Sequence, residues 1–249
     1  MRRYGPATTM TYSFGPGPMT PAVKAIIWAN IACFVLSLLF QDEIIYYLGL
    51  TPGAVLERGW IWQPATYMFL HVGAMHILFN MLGVWMFGVE LERMWGTQFF
   101  ARYYAVTGVG AGITAIVASF LPVDGLQATY AVPTVGASGA LYGLLMAFAI
   151  YFPDRPILMF LLFPIPAKYF VMILGGLAFL ISPNSGVSNA AHLGGLLFGY
   201  VYLKSRTGGG GGSLTAELKY RYLKWKMNRL RRKFDVYSGG RSDWDRHIH

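Results

Sequence analysis

Charge is scarce in this chain: only 12% of its 249 residues are Asp, Glu, Lys or Arg, while 55% are hydrophobic. A water-soluble domain carries about 25% charged residues. The deficit therefore points to a membrane protein before any segment is inspected. Cysteine is scarcer still. The single Cys33 excludes a disulfide framework and a cysteine metal site, and in an apolar run it reads as a small buried hydrophobe. The first twenty residues lack the small-residue cleavage site of a signal peptide, so the first apolar run is expected to remain as an anchor. A net basic excess is missing from most of the chain as well. Of the net +9, residues 204–249 supply +8, with twelve Lys/Arg against four Asp/Glu. The high isoelectric point belongs to a tail, and no nucleic-acid partner is expected.

What is present is a series of apolar runs near the length of a spanning helix, roughly 17–25 residues. Six are read, at about Ala22–Phe40, Leu70–Val89, Phe99–Leu121, Ala137–Phe152, Ala167–Ser182 and Val187–Leu203. The fourth and fifth are short. Arg2, Arg3, Lys24, Arg93, Arg102, Arg155 and Lys168 lie on one set of connections, while Asp42, Glu43, Glu57 and Asp124 lie on the other, where Arg58 is the lone basic residue. The positive-inside rule then places both termini in the cytoplasm. The expected fold is an all-α six-helix membrane bundle over residues 21–204, after an N-terminal segment 1–20. A glycine-rich linker (205–213, with five consecutive glycines at Gly208–Gly212) and a basic tail (214–249) follow. Leu214–Phe234 reads as a basic amphipathic helix suited to anionic lipid headgroups. The long connection Gln41–Phe69, with Trp60, Ile61 and Trp62, suits the outer membrane interface. Asp154–Pro166 suits a non-helical excursion on the cytoplasmic side. Glu90 and Arg93 suggest a local contact at a helix end, and Asn30 and Ser37 suggest hydrogen bonds between helices.

Polar residues inside such runs are costly and mark sites. Ser138 opens the fourth run, and His192 lies near the start of the sixth. His76 lies near the start of the second, with Asn80 one turn on. All three helices run inward from the same face, so at 1.5 Å per residue these groups share one depth. Gly139 and Gly143 beside Ser138, and Ala191, Gly195 and Gly199 beside His192, form small-xxx-small patterns that allow backbone-to-backbone packing. A serine hydroxyl needs a base to become nucleophilic, and a neutral imidazole serves. The predicted chemistry is a Ser138–His192 dyad, with the Ser138 N–H, His76 and Asn80 available to an oxyanion. An aspartyl enzyme would need aspartates within spans, yet Asp42, Asp124 and Asp154 fall in connections. A zincin would need His-Glu-x-x-His, whereas His71 and His76 are five apart with no Glu between them. No metal or cofactor is expected.

The elements His71-x4-His76-x3-Asn80, Gly136-Ala137-Ser138-Gly139 with Tyr142, and Ala191-His192-x2-Gly195-x3-Gly199 resemble the rhomboid family of intramembrane serine proteases over about residues 20–204. The resemblance implies Ser138 as nucleophile, His192 as base, and His76 and Asn80 as oxyanion donors. It further implies that Tyr142 supports the His192 ring, that Gly136 belongs to the serine motif, and that His71 helps fix the first loop. Substrates would be membrane proteins cut in or near a transmembrane segment. The site would open to the extracytoplasmic side, and a bacterial cytoplasmic membrane is the expected location. The alternative is a non-catalytic rhomboid-like protein that binds transmembrane segments in quality control. One departure stands out: Trp62-Gln63 occupies the place where many rhomboids carry Trp-Arg, so the loop's anchoring is expected to differ. A movable cap is implied around Ser182–Ser188 and the fifth helix.

Overall fold

The computed structural model describes residues 15–122, 124–159, 163–180 and 186–207. Residues 208–213 of the expected linker, the basic tail, the N-terminal residues 1–14 and most of the Ser182–Ser188 segment lie outside them, while residues 205–207, expected in the linker, continue the last helix. The chain divides into two units, Met1–Leu203 and Lys204–His249. Of the second, the described residues are Lys204–Thr207.

The order of elements is α1 (Pro21–Ser37), α2 (Gln41–Leu48), α3 (Pro52–Arg58), α4 (Gln63–Thr66), α5 (Ala74–Trp95), α6 (Thr97–Ala118), α7 (Asp124–Gln127), α8 (Ser138–Tyr151), β1 (Pro156–Met159), β2 (Phe163–Pro166), α9 (Ala167–Leu180) and α10 (Gly186–Thr207). Among the described residues two helices, α5 and α6, are long and apolar enough to cross a membrane. Their 22 residues extend about 33 Å. Helices α1 and α8 are apolar but shorter. The second run begins four residues later than expected. Tyr67–Phe69 forms a 3₁₀ turn and Leu70 is extended, so His71 precedes α5. Its end runs on to Trp95, because Glu90, Glu92 and Arg93 all find partners.

The core lies where α5, α6 and α8 meet, with Val84, Phe100, Ala111, Ala140 and Leu144 buried. Small residues make this contact close. A Cβ on Gly143 would overlap Thr107 of α6. The outward faces are apolar too: Phe79, Val117 and Met172 are each at least 60% exposed. Faces of this kind suit lipid, not water.

Glu92 closes the end of the bundle. It is buried, and its carboxylate accepts from Thr20 Oγ1 at 2.5 Å, from the Ala22 and Val23 N–H groups at 2.9 Å each, and from Thr97 Oγ1 at 2.7 Å. It thereby satisfies the free N–H groups of α1 while sitting near the end of α5. Glu92→Gln turns an amide nitrogen toward donors and removes the charge. Stability is expected to fall by about 2–4 kcal/mol, read as a lowered melting temperature in detergent.

Several side chains depart from the sequence expectation. Glu90 and Arg93 do not pair with each other. Glu90 forms an ion pair with Arg155, and Arg93 donates to the Pro16 and Pro18 carbonyls at 2.6 and 3.1 Å. The two lie three residues apart on α5, yet longer-range partners reach them first. Asn30 and Ser37 bond back within α1, to Ile26 O at 2.8 Å and Phe34 O at 2.7 Å, instead of across helices. Short polar side chains find the carbonyl one turn back more readily than a neighbouring helix. Cys33 is only half-buried. The excursion after α8 is an antiparallel hairpin with Pro156 opposite Pro166, and beside it Lys168 pairs with Asp154 at 2.7 Å.

The long first connection is not irregular but holds α2, α3 and α4. Its anchor is Gln63, which is buried. The amide oxygen accepts from Thr51 N–H at 3.0 Å, and the amide nitrogen donates to the Tyr46 and Tyr47 carbonyls at 3.3 and 3.4 Å. Trp62 Nε1 also donates to Tyr47 O at 2.9 Å. The glutamine in the Trp62-Gln63 pair thus ties the loop through a neutral amide.

Candidate active site

The strand-like approach to Ser138 is held by three tethers. Leu50 and Thr134 exchange backbone hydrogen bonds at 2.9 and 2.8 Å, Gly136 N–H donates to Tyr67 O at 3.0 Å, and Ala137 N–H donates to His71 Nε2 at 3.4 Å. His71, which the resemblance assigns to the first loop, therefore reaches the residue beside Ser138. Tyr67 is buried, and its hydroxyl donates to Gly108 O at 2.8 Å, so the carbonyl holding Gly136 is itself fixed to α6.

Ser138 is the first residue of α8. The earliest N–H groups of a helix have no acceptor within it. Because Gly136 and Ala137 spend theirs on Tyr67 and His71, the Ser138 N–H is left for charge developing at that end. His192, on α10, brings Nε2 to 2.8 Å from Ser138 Oγ. Both residues are half-buried. The His192 ring lies flat on Tyr142, with centroids 4.2 Å apart and planes 9° from parallel. Its Nδ1 is buried and has no hydrogen-bond partner among the described residues. Stacking, with no acidic side chain involved, orients the imidazole. For Nε2 to accept the serine proton, Nδ1 must carry the hydrogen, an assignment that follows from chemistry because hydrogens are not observed.

Close packing explains how residues 54 apart in sequence come into contact. A Cβ on Gly195 would overlap the Gly139 carbonyl oxygen, and one on Gly199 would lie 3.2 Å from Gly143 Cα and 2.6 Å from Tyr103 Oη. The α8 and α10 backbones therefore touch at two levels. Tyr103 also donates to Gly143 O at 2.7 Å, filling the seam from α6.

Gly136 has φ +128°, a conformation L side chains rarely adopt. A Cβ there would also lie 2.9 Å from His76 Nε2 and 3.9 Å from Ser138 Oγ. The missing side chain leaves a niche between imidazole and hydroxyl. Asn80 is less well placed for that niche. Its amide nitrogen donates to His76 O at 2.9 Å, and its buried oxygen has no partner among the described residues. The His76 ring also meets His71 edge-on, with centroids at 4.9 Å.

The sequence reading missed Tyr67, because an aromatic in a loop gives no signal of what its hydroxyl holds, and it singled out Gln63 only as a departure from the family pattern, without its partners. For Gly136 the signal was present, since a glycine just before a helix start often marks a special φ. Among the described residues no group of three or more His, Cys, Asp or Glu could hold a metal ion.

The family model for the rhomboid domain matches residues 58–206. Rhomboid protease GluP of Bacillus subtilis is 33% identical over 160 residues, covering 64% of this chain and 29% of that protein. Rhomboid protease GlpG of Haemophilus influenzae is 30% identical over 166 residues, covering 66% of this chain and 78% of that protein. Rhomboid protein 1, mitochondrial, of Saccharomyces cerevisiae is 33% identical over 138 residues, covering 54% and 38%. The chain thus spans under a third of GluP but most of GlpG.

Proposed function

The chain belongs to the rhomboid family of integral membrane proteins, and from that membership we propose that it is an intramembrane serine endopeptidase working through a Ser138–His192 dyad. The 2.8 Å approach of His192 Nε2 to Ser138 Oγ carries the reading. Membrane proteins are the substrates, cut in or near a transmembrane segment. Six spans over residues 21–204, cytoplasmic termini, a bacterial cytoplasmic membrane and a site beneath the outer surface complete the proposal. The basic tail, 214–249, rests on anionic headgroups.

His192 takes the Ser138 proton at Nε2 as Oγ attacks the scissile carbonyl carbon, and the carbonyl π electrons move onto oxygen. That oxyanion settles in the niche at Gly136, facing the Ser138 N–H and His76 Nε2. Collapse expels the amine, which leaves with the proton from His192. Water, deprotonated by the same nitrogen, then attacks the acyl carbon, and Ser138 Oγ leaves as the hydroxyl with the proton returned from His192. The substrate helix must unwind locally, because its intact hydrogen bonds shield the carbonyl.

The test is a fluorophosphonate probe together with a synthetic transmembrane substrate and the purified protein in detergent. Labelling and cleavage that both depend on Ser138 support the dyad. Absence of Ser138-dependent labelling overturns it and favours a non-catalytic binder of transmembrane segments. The niche yields a finer expectation. His76→Ala should lower kcat by roughly 10²–10³, the usual effect of losing one oxyanion donor, with little change in KM. Asn80→Ala should cost less, because one of its two amide N–H groups is already held by the His76 carbonyl.

A further inference from the structure

A cavity of about 250 Å³ opens where α3 meets the Ala128–Tyr130 turn, a few residues before the Ser138 motif. Tyr46, Trp60, Tyr130 and Pro133 wall it, and Glu57 and Arg58 bring two opposite charges to it. Neither charge belongs to an ion pair among the described residues. Glu57 Oε1 accepts from Tyr130 Oη at 2.8 Å, which leaves Oε2 available. The Arg58 guanidinium lies 5.7 Å from the Tyr46 ring centroid and 5.3 Å from that of Trp60, and donates once to Tyr46 Oη at 2.5 Å. A guanidinium has five N–H donors, so most of its fork remains for an anion.

The same loop carries Leu56, Ile61 and Trp62, which are 51%, 81% and 43% exposed. Apolar and indole side chains displayed beside charged ones belong at the headgroup level of a bilayer. Arg58 is also the lone basic residue on the connections assigned to the outer side, where basic residues are normally depleted. A phosphate ligand accounts for its presence.

We propose that this cavity binds the headgroup of a zwitterionic phospholipid bearing a primary ammonium, the phosphate on Arg58 and the ammonium between Glu57 and the aromatic faces. The charges are complementary, and aromatic rings attract a cation at their faces. The volume, space for about eight water molecules, matches a phosphoethanolamine group. The bound headgroup would reinforce the existing Glu57–Tyr130 contact, and the turn of Tyr130 leads through Thr134 and Gly136 to Ser138. The proposal takes from the preceding reading only that this loop lies at a membrane surface.

The experiment uses the full chain carrying Ser138→Ala, so that binding is measured whether or not the protein is a protease. Native mass spectrometry reads lipid retained from mixed micelles containing phosphatidylethanolamine or phosphatidylglycerol. Retention of the ethanolamine lipid should exceed that of the glycerol lipid by about tenfold, a single charge-assisted contact. Soluble phosphoethanolamine should displace it, which separates headgroup recognition from binding of acyl chains. Glu57→Gln should remove the preference, and Arg58→Gln should weaken both lipids. Both residues are exposed, so neither change threatens the fold, and circular dichroism checks this. Equal retention of the two lipids, or retention indifferent to both substitutions, overturns the proposal.

Discussion

Ser138→Ala is expected to reduce cleavage of a transmembrane substrate by roughly 10⁴-fold or more. Removing the nucleophile from a serine hydrolase leaves only what binding and the oxyanion site contribute. His192→Ala should cost nearly as much, because the hydroxyl 2.8 Å away loses its proton acceptor. The informative quantity is the double variant. Residues that act as a unit are strongly non-additive, so Ser138→Ala/His192→Ala should be no slower than either single variant. Multiplying losses would mean that the two act in separate steps, and the dyad would have to be abandoned. Substrate binding, measured by crosslinking, should persist in all three.

Gly195→Ala should be nearly as damaging, although it touches no reacting atom. By helix propensity alone the change is favourable by about 1 kcal/mol. Here the new methyl would overlap the Gly139 carbonyl oxygen, a backbone atom that cannot swing aside. The helices must part, and overpacking of this kind costs about 1–3 kcal/mol, outweighing the propensity gain. The larger effect is on catalysis. Displacing His192 from Ser138 by about 1 Å can cost on the order of 10²-fold in rate. A lowered melting temperature together with at least that loss of cleavage is expected. Unchanged values of both would show that α8 and α10 are not in backbone contact.

The parts of this molecule legible in sequence are those with a local signature. Apolar runs announced α5 and α6, and the glycines at 139, 143, 195 and 199 carried the reason why Ser138 and His192 can lie together. Glycine spacing is readable because it acts through the absence of a side chain, whatever the neighbour. Contacts chosen among several partners were not legible. Glu90 and Arg93 sit three apart on one helix, yet their partners are Arg155 and the carbonyls of Pro16 and Pro18. Asn30 gave no sign of preferring its own helix to the next. The short helices α2, α3 and α4 escaped notice because each is too short to show a periodicity, and their stability comes from tertiary ties such as Gln63 and not from intrinsic propensity.

The Gln63 latch has a consequence for the conditions under which the protein works. A guanidinium in that place would be a cation whose hold on its neighbours weakens as salt accumulates. An uncharged carboxamide shielded from solvent has nothing for counter-ions to screen, nor any proton to gain or lose across the physiological range. The Gln63 tie itself should hold in brine and in mild acid alike, so any sensitivity of the protein to ionic strength must arise elsewhere.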